Sequence, residues 1–204
     1  FDREQRVGQV VLDADGNPNQ MNMTGPRLET LVRVRGSEAE PVRGVQFSEI
    51  CFSYSSCPLP SGGYGGIQAS YFENRLVPAH LRKLNTETES SHLRLSAAIE
   101  LSFAEDCGFL KSTFKHLGGG GIYLGRQTNN CFVKSSQIDD VGGCGVMVGE
   151  TVTRKDPKGR SLVCDGNAIE GNQISQCGQV LFGSVGVWDG IAKRTLVISN
   201  EIFN

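Results

Sequence analysis

Apolar residues recur along this chain in a fixed order. In Val45-Gln-Phe47, Cys107-Gly-Phe109, Cys131-Phe-Val133, Asn167-Ala-Ile169 and Thr195-Leu-Val197 the third residue is apolar, and another apolar residue follows five positions later: Phe52, Phe114, Ile138, Ile174 and Ile202. A second series precedes each unit: Val32-Arg-Val34, Ile99-Glu-Leu101, Ile122-Tyr-Leu124, Val146-Met-Val148 and Val187-Trp-Asp189. Ile99 and Ile122 are 23 residues apart, Ile122 and Val146 24. Short alternating runs at a constant period, joined by Gly and Asn turns, predict an all-β coil in which each rung stacks on the last. A leucine-rich repeat of this length is excluded, because its Leu-x-x-Leu-x-Leu frame and Asn are missing. The pattern predicts three strands per rung, as in 121–124, 131–134 and 136–139. Stacked rungs lie ~4.8 Å apart, so equivalent positions form side-chain ladders up the coil. Asn172 falls over Asn200 in such a ladder, at the bend between the second and third strands, where its amide can satisfy turn groups.

Two segments break the period and are predicted insertions, 55–96 with a short helix near 79–84, and the polar run 151–162. Residues 1–27 have weak periodicity and read as a lead-in, leaving rungs over 28–204. Composition agrees with a turn-rich β chain: 26 glycines in 204 residues are nearly twice the usual ~7%. The net charge is −2 and no Lys/Arg cluster stands out, so neither nucleic acid nor a membrane surface is an expected partner. No apolar run approaches the ~20 residues that span a bilayer. The chain opens at Phe1, has no Met before Met21 and stops after a strand-like run. The expectation is therefore a stretch of a longer β-helix, whose open coil ends would favour end-to-end self-association.

If Ile99, Ile122, Val146 and Val187 face inward, then Glu100, Tyr123, Met147 and Trp188 face outward on successive rungs. Exposed aromatic faces suit sugar rings, which makes Tyr123 and Trp188 candidate platforms and Glu100 a candidate contact. A further ladder, two residues past the third strand's last apolar position, holds Tyr54, His116, Asp140, Gln176 and Asn204. His116 and Asp140 should meet on neighbouring rungs, where a carboxylate can orient the imidazole. Asp189 occupies a position that is Leu or Val on other rungs, and Glu150 lies one rung from it. Paired carboxylates are what glycoside hydrolysis requires, so Asp140, Asp189, Glu150 and His116 are the catalytic candidates.

Other chemistry is thinly represented. The seven cysteines form no CxxC or Cys/His metal spacing and read as reduced, buried side chains. Gly118–Gly121 precedes a strand, not a helix, and is no phosphate cradle. No cofactor is expected. Asp13–Asn17 could offer oxygens to Ca²⁺, but it lacks the closing Glu of an EF-hand loop and reads as a turn.

Several runs resemble bacterial right-handed parallel β-helix carbohydrate enzymes of pectate-lyase-like architecture. They are Pro41–Phe52 with Gln68-Ala69, Ala97-Ala-Ile-Glu-Leu101, His116-Leu-Gly-Gly-Gly-Gly-Ile122, Asp140-Val-Gly-Gly-Cys-Gly-Val-Met-Val-Gly-Glu150, Gly186-Val-Trp-Asp-Gly190 and Ile198-Ser-Asn-Glu-Ile202. The chain is most similar to glycoside hydrolase family 141, whose activities include α-L-fucosidase and xylanase. The resemblance implies an enzyme acting on plant or algal polysaccharide, in a secreted, periplasmic or cell-surface location. It matches the family's two catalytic aspartates to Asp140 and Asp189 and adds Gln68 to the substrate-binding candidates. One departure is Ser199, which stands where relatives commonly carry His. Two alternatives remain: a polysaccharide lyase on the same fold, disfavoured by the absence of Lys or Arg on the outward ladder, and a non-catalytic glycan-binding or adhesion β-helix.

Overall fold

A computed structural model describes residues 17, 20, 23–58, 71–73, 92–94, 96–156 and 158–204. Four five-stranded parallel sheets run the length of a coil of five rungs. The first sheet contains Val32–Arg35, Ala97–Ser102, Gly120–Leu124, Val146–Val148 and Val187–Asp189. The third contains Gln46–Ser48, Gly108–Leu110, Phe132–Lys134, Ala168–Glu170 and Leu196–Ile198, and the fourth Cys51–Ser55, Thr113–Leu117, Gln137–Val141, Gln173–Ser175 and Glu201–Phe203. The predicted ladders are the observed registers: Val32, Ile99, Ile122, Val146 and Val187 pair in sequence, as do Phe47, Phe109, Val133, Ile169 and Val197. The chain is an all-β parallel β-helix.

The expected three strands per rung are corrected to four. The second sheet consists of two-residue strands, Val42–Arg43, Ala104–Glu105, Thr128–Asn129, Cys164–Asp165 and Ala192–Lys193. Two residues cannot display an alternation, and the inward ones are mostly small, so no apolar period marks them.

The core is the column of inward residues. In the lower rungs it is aromatic: Phe47 stacks on Phe109 with ring centres 5.0 Å apart, Phe52 on Phe114 at 5.2 Å, and Phe109 meets Phe114 edge-on. Higher up it is aliphatic, with Val133, Ile138, Ile169 and Ile174 fully buried.

Polar ladders hold the corners. Between the third and fourth sheets, Ile50 N–H donates to Ser112 Oγ, Ser112 N–H to Ser136 Oγ, Ser136 N–H to Asn172 Oδ1 and Asn172 N–H to Asn200 Oδ1. Each rung's inward polar side chain thus accepts the amide of the rung below, a group that would otherwise be buried unpaired. The predicted Asn172–Asn200 stack is the upper end of this spine. Residues at the corners adopt left-handed backbone, including Glu49, Lys111, Ser135, Gly171 and Ser199 beside this spine.

Of the two insertions, 55–96 contains an antiparallel pair, Tyr71–Glu73 with His92–Arg94. The helix expected at 79–84 and Gln68 lie outside the described residues, as does most of 1–27. The run 151–162 is a hairpin, Arg154–Lys155 pairing antiparallel with Ser161–Leu162. Asp156 turns it: its carboxylate accepts the backbone N–H groups of Lys158 and Arg160, at 2.9 and 2.8 Å, and the Arg160 guanidinium at 2.6 Å.

Candidate active site

The fourth sheet hands over to the first at a corner occupied on successive rungs by Tyr54, His116, Asp140 and Gln176. All four have left-handed backbone, with φ of 63°, 55°, 52° and 47°. This kink interrupts the strand pairing at one position, so that Leu117 and Val141 return to register while the corner side chains turn outward. His116 Nδ1 lies 2.7 Å from Asp140 Oδ2, the contact expected from their spacing. The His116 ring also stacks on Tyr54, with centres 5.1 Å apart and planes inclined at 24°. Ring below and carboxylate above fix the imidazole in two directions. Both side chains of the pair are about two-fifths exposed, 42% and 41%. Among the described residues, His116 Nε2 and Asp140 Oδ1 have no hydrogen-bonding partner. Asp139 points elsewhere and accepts the Ser175 hydroxyl at 2.5 Å.

Gly142, two residues after Asp140, lies so close to the Gly118 carbonyl that a Cβ there would collide with it. Its glycine lets the turn after Asp140 nest on the turn after His116. The segment 178–186 folds onto the same place from the next rung. Gly178, Gln179, Val180 and Leu181 donate their amides to the carbonyls of Gly143, Val141 and Gly142. Leu181 is buried beneath it, and Phe182 at its tip is 83% exposed.

The other candidates lie apart from this corner. Glu150 receives Arg154 Nε on both carboxylate oxygens at 3.0 Å and anchors the 154–162 hairpin. Glu100 pairs with Arg33 at 3.2 Å across the first sheet. Asp189 pairs in register with Val148, exposed on the fifth rung, and its Oδ1 accepts the Thr195 hydroxyl at 3.1 Å. No hydrogen bond joins it to Asp140, which stands two rungs below and at the opposite end of the first-sheet strands. The outward ladder of Tyr123, Met147 and Trp188 is in register, but it is not the open strip that alternation predicts. Met147 is 1% exposed, packed with Cys144 between the two half-buried rings. The Tyr123 ring lies over Gly125 and the Trp188 ring over Gly190, where a Cβ would collide with them.

All seven cysteines are free, and Cys107, Cys131, Cys144 and Cys164 are buried. Burial pushes the thiols of Cys131 and Cys177 up to about 12. Among the described residues no group of three or more His, Cys, Asp or Glu side chains converges as a metal site.

Comparison with solved structures finds a match described as a glycoside hydrolase, with a TM-score of 0.68 and 20% identity. The shared feature is the fold. The match covers 87% of this chain but 33% of the other, so this chain spans a third of its length. No family model matches, and no curated protein does.

Two features of the corner carry no site signal in the sequence. The ladder spacing puts Tyr54 at the corner, but nothing in sequence marks a ring-on-ring stack with His116. Phe182 lies in a stretch without period, and a lone Phe in a Gly/Ser-rich loop carries no signal of exposure.

Proposed function

We propose that this protein is a glycoside hydrolase of the family 141 type, cutting plant or algal polysaccharide with Asp140 as its proton-transfer carboxylate. The observation that carries the reading is the Asp140–His116 pair, held on adjacent rungs at an open corner with one carboxylate oxygen uncommitted. With Nδ1–H donating to Oδ2, the imidazole fixes the carboxylate and leaves Oδ1 open to take a proton from water or to attack the anomeric carbon. His116 orients Asp140, and Tyr54 holds the plane of His116. Glycoside cleavage needs a second carboxyl group. Asp189, offset by two rung spacings or ~10 Å along the axis and standing at the opposite end of the first-sheet strands, is beyond both the ~5 Å of a retaining pair and the ~6.5–9.5 Å of an inverting one, so it is not assigned as the partner of Asp140. We assign Glu150 and Glu100 to structure, because each is committed to an arginine. Tyr123 and Trp188 edge the first-sheet face that continues from the corner and would contact the sugar through their exposed rims.

Incubation with a panel of neutral and acidic plant and algal polysaccharides tests this. Hydrolysis releases new reducing ends without unsaturation. Unsaturated products would reassign the protein as a lyase, and binding without turnover as an adhesion module.

A further inference from the structure

Resting on the glycan-active reading for its choice of polymer, we infer that the 151–162 hairpin is a second, non-catalytic binding element. It is a fixed cationic arm that holds the carboxylate or sulfate groups of an acidic polysaccharide away from the cleavage corner. The starting observation is a local reversal of charge. Arg154, Lys155, Lys158 and Arg160 stand against Asp156 alone within twelve residues, in a chain whose net charge is −2. The acids and arginines are taken up in building the hairpin. Arg154 is clamped on Glu150, with side chains 17% and 15% exposed. The Asp156 side chain is 2% exposed and holds the Lys158 and Arg160 amides and the Arg160 guanidinium. Arg154 and Asp156 share one face of the strand, so Lys155 between them points to the other. Lys155 and Lys158 are exposed, and neither ammonium group has a partner among the described residues.

The base of the arm is tied to the fifth rung, where Ile191 N–H donates to the Glu150 carbonyl at 2.8 Å. Two residues on, Lys193 is exposed as well and pairs in register with Asp165, whose carboxylate is taken by Arg194 at 2.7 Å. Ammonium groups carried on a closed turn lose little freedom on meeting an anion, so the arm is preorganised for a polyanion. Against a membrane or a duplex, where charge covers a wide surface, the acidic remainder of the chain would be repelled. A single linear acidic chain meets the arm alone. The hairpin leaves the first sheet after Val148, at the end of its strands opposite the Asp140 corner, so a polymer held there does not compete with the bond being cut.

The test measures binding of Asp140→Asn protein, in which cleavage is removed, to alginate as a carboxylate polymer, dextran sulfate as a sulfate polymer and dextran as a neutral one. One or both acidic polymers should bind, with an affinity that falls as salt screens the charges, and dextran should not. The acidic polymer that binds identifies the group recognised. Lys155→Gln combined with Lys158→Gln should weaken that binding by about tenfold. Lys111→Gln combined with Lys134→Gln removes the same charge from the third-sheet side and should change it by less than about twofold. The Arg160 amide resonance, set by Asp156, confirms that the turn is intact. Equal losses in the two pairs, or none in the hairpin pair, overturn the arm. So does failure of both acidic polymers to bind, or equally tight binding to anionic lipid vesicles or duplex DNA. The hydrolase reading survives each of these failures, because release of new reducing ends by the parent protein tests it separately. Binding at the hairpin without such release would refute the hydrolase reading and leave the arm in place.

Discussion

Asn172→Ala is the sharpest test of how the coil is held together. Asn172 is 2% exposed and serves three partners. Its Oδ1 accepts the Ser136 amide at 3.0 Å, and its Nδ2 donates to the Val133 carbonyl and Asn200 Oδ1, both at 2.9 Å. Truncation strands the Ser136 N–H inside the coil, while the Val133 carbonyl keeps its ladder position opposite the Glu170 amide and Asn200 Oδ1 keeps the Asn172 backbone amide. At ~1–3 kcal/mol for a buried polar group left unpaired, the loss comes to about 2 kcal/mol. For a chain of this size that lowers the melting temperature by roughly 6 °C. Asn172→Leu should be no better, since filling the space does not satisfy the Ser136 amide. Asn172→Ser should recover about half. Ser136 shows how, accepting the amide below and donating its hydroxyl to the Lys134 carbonyl at 2.8 Å. Thermal and urea denaturation measure the totals, and amide hydrogen exchange at Ser136 reports the local effect. If Asn172→Ala melts with the parent protein, or Asn172→Ser costs as much as Asn172→Leu, the polar spine does not carry the stability assigned to it.

Other expectations follow from single contacts. The hairpin at 154–162 should be sensitive to acid. Hydrogen bonds from the Arg160 and Lys158 amides and the Arg160 guanidinium hold the Asp156 carboxyl below the usual aspartate value. A lowered folded pKa means that its contribution is present above the ordinary value and disappears as pH falls through the lowered one; the Lys158 and Arg160 amide resonances should shift together there, and a midpoint at or above the ordinary value would contradict the turn. In native protein at mildly alkaline pH, a thiol reagent should label Cys51, which is exposed, far faster than Cys131 and Cys177, whose thiols are raised to about 12. Comparable rates at all three, by peptide mapping, would refute the shielding of those two thiols.

Much of this architecture was legible because a parallel coil repeats its register. A ladder such as Ile99, Ile122, Val146 can be read from spacing alone, since each residue meets the same neighbours one rung up, and the His116–Asp140 contact follows from the same arithmetic. The second sheet was illegible, because a two-residue strand carries no period. The outward strip shows a different limit. Alternation correctly put Met147 on the outer face, but Tyr123 and Trp188 fold over Gly125 and Gly190 and pack against it, and which side chains lean together is not encoded in strand parity. The Arg154 partner of Glu150 is created by a hairpin that the coil period skips. Phe182 and the Tyr54 stack depend on loop geometry and rotamers.

The central claim is that Asp140 moves a proton during glycosidic cleavage, and kcat/KM of Asp140→Asn against the parent on the polysaccharide it cleaves tests it most directly. The account predicts a loss of roughly 10²–10⁴-fold, the usual contribution of general acid–base catalysis, with the fold unchanged. Parental activity in Asp140→Asn would contradict it.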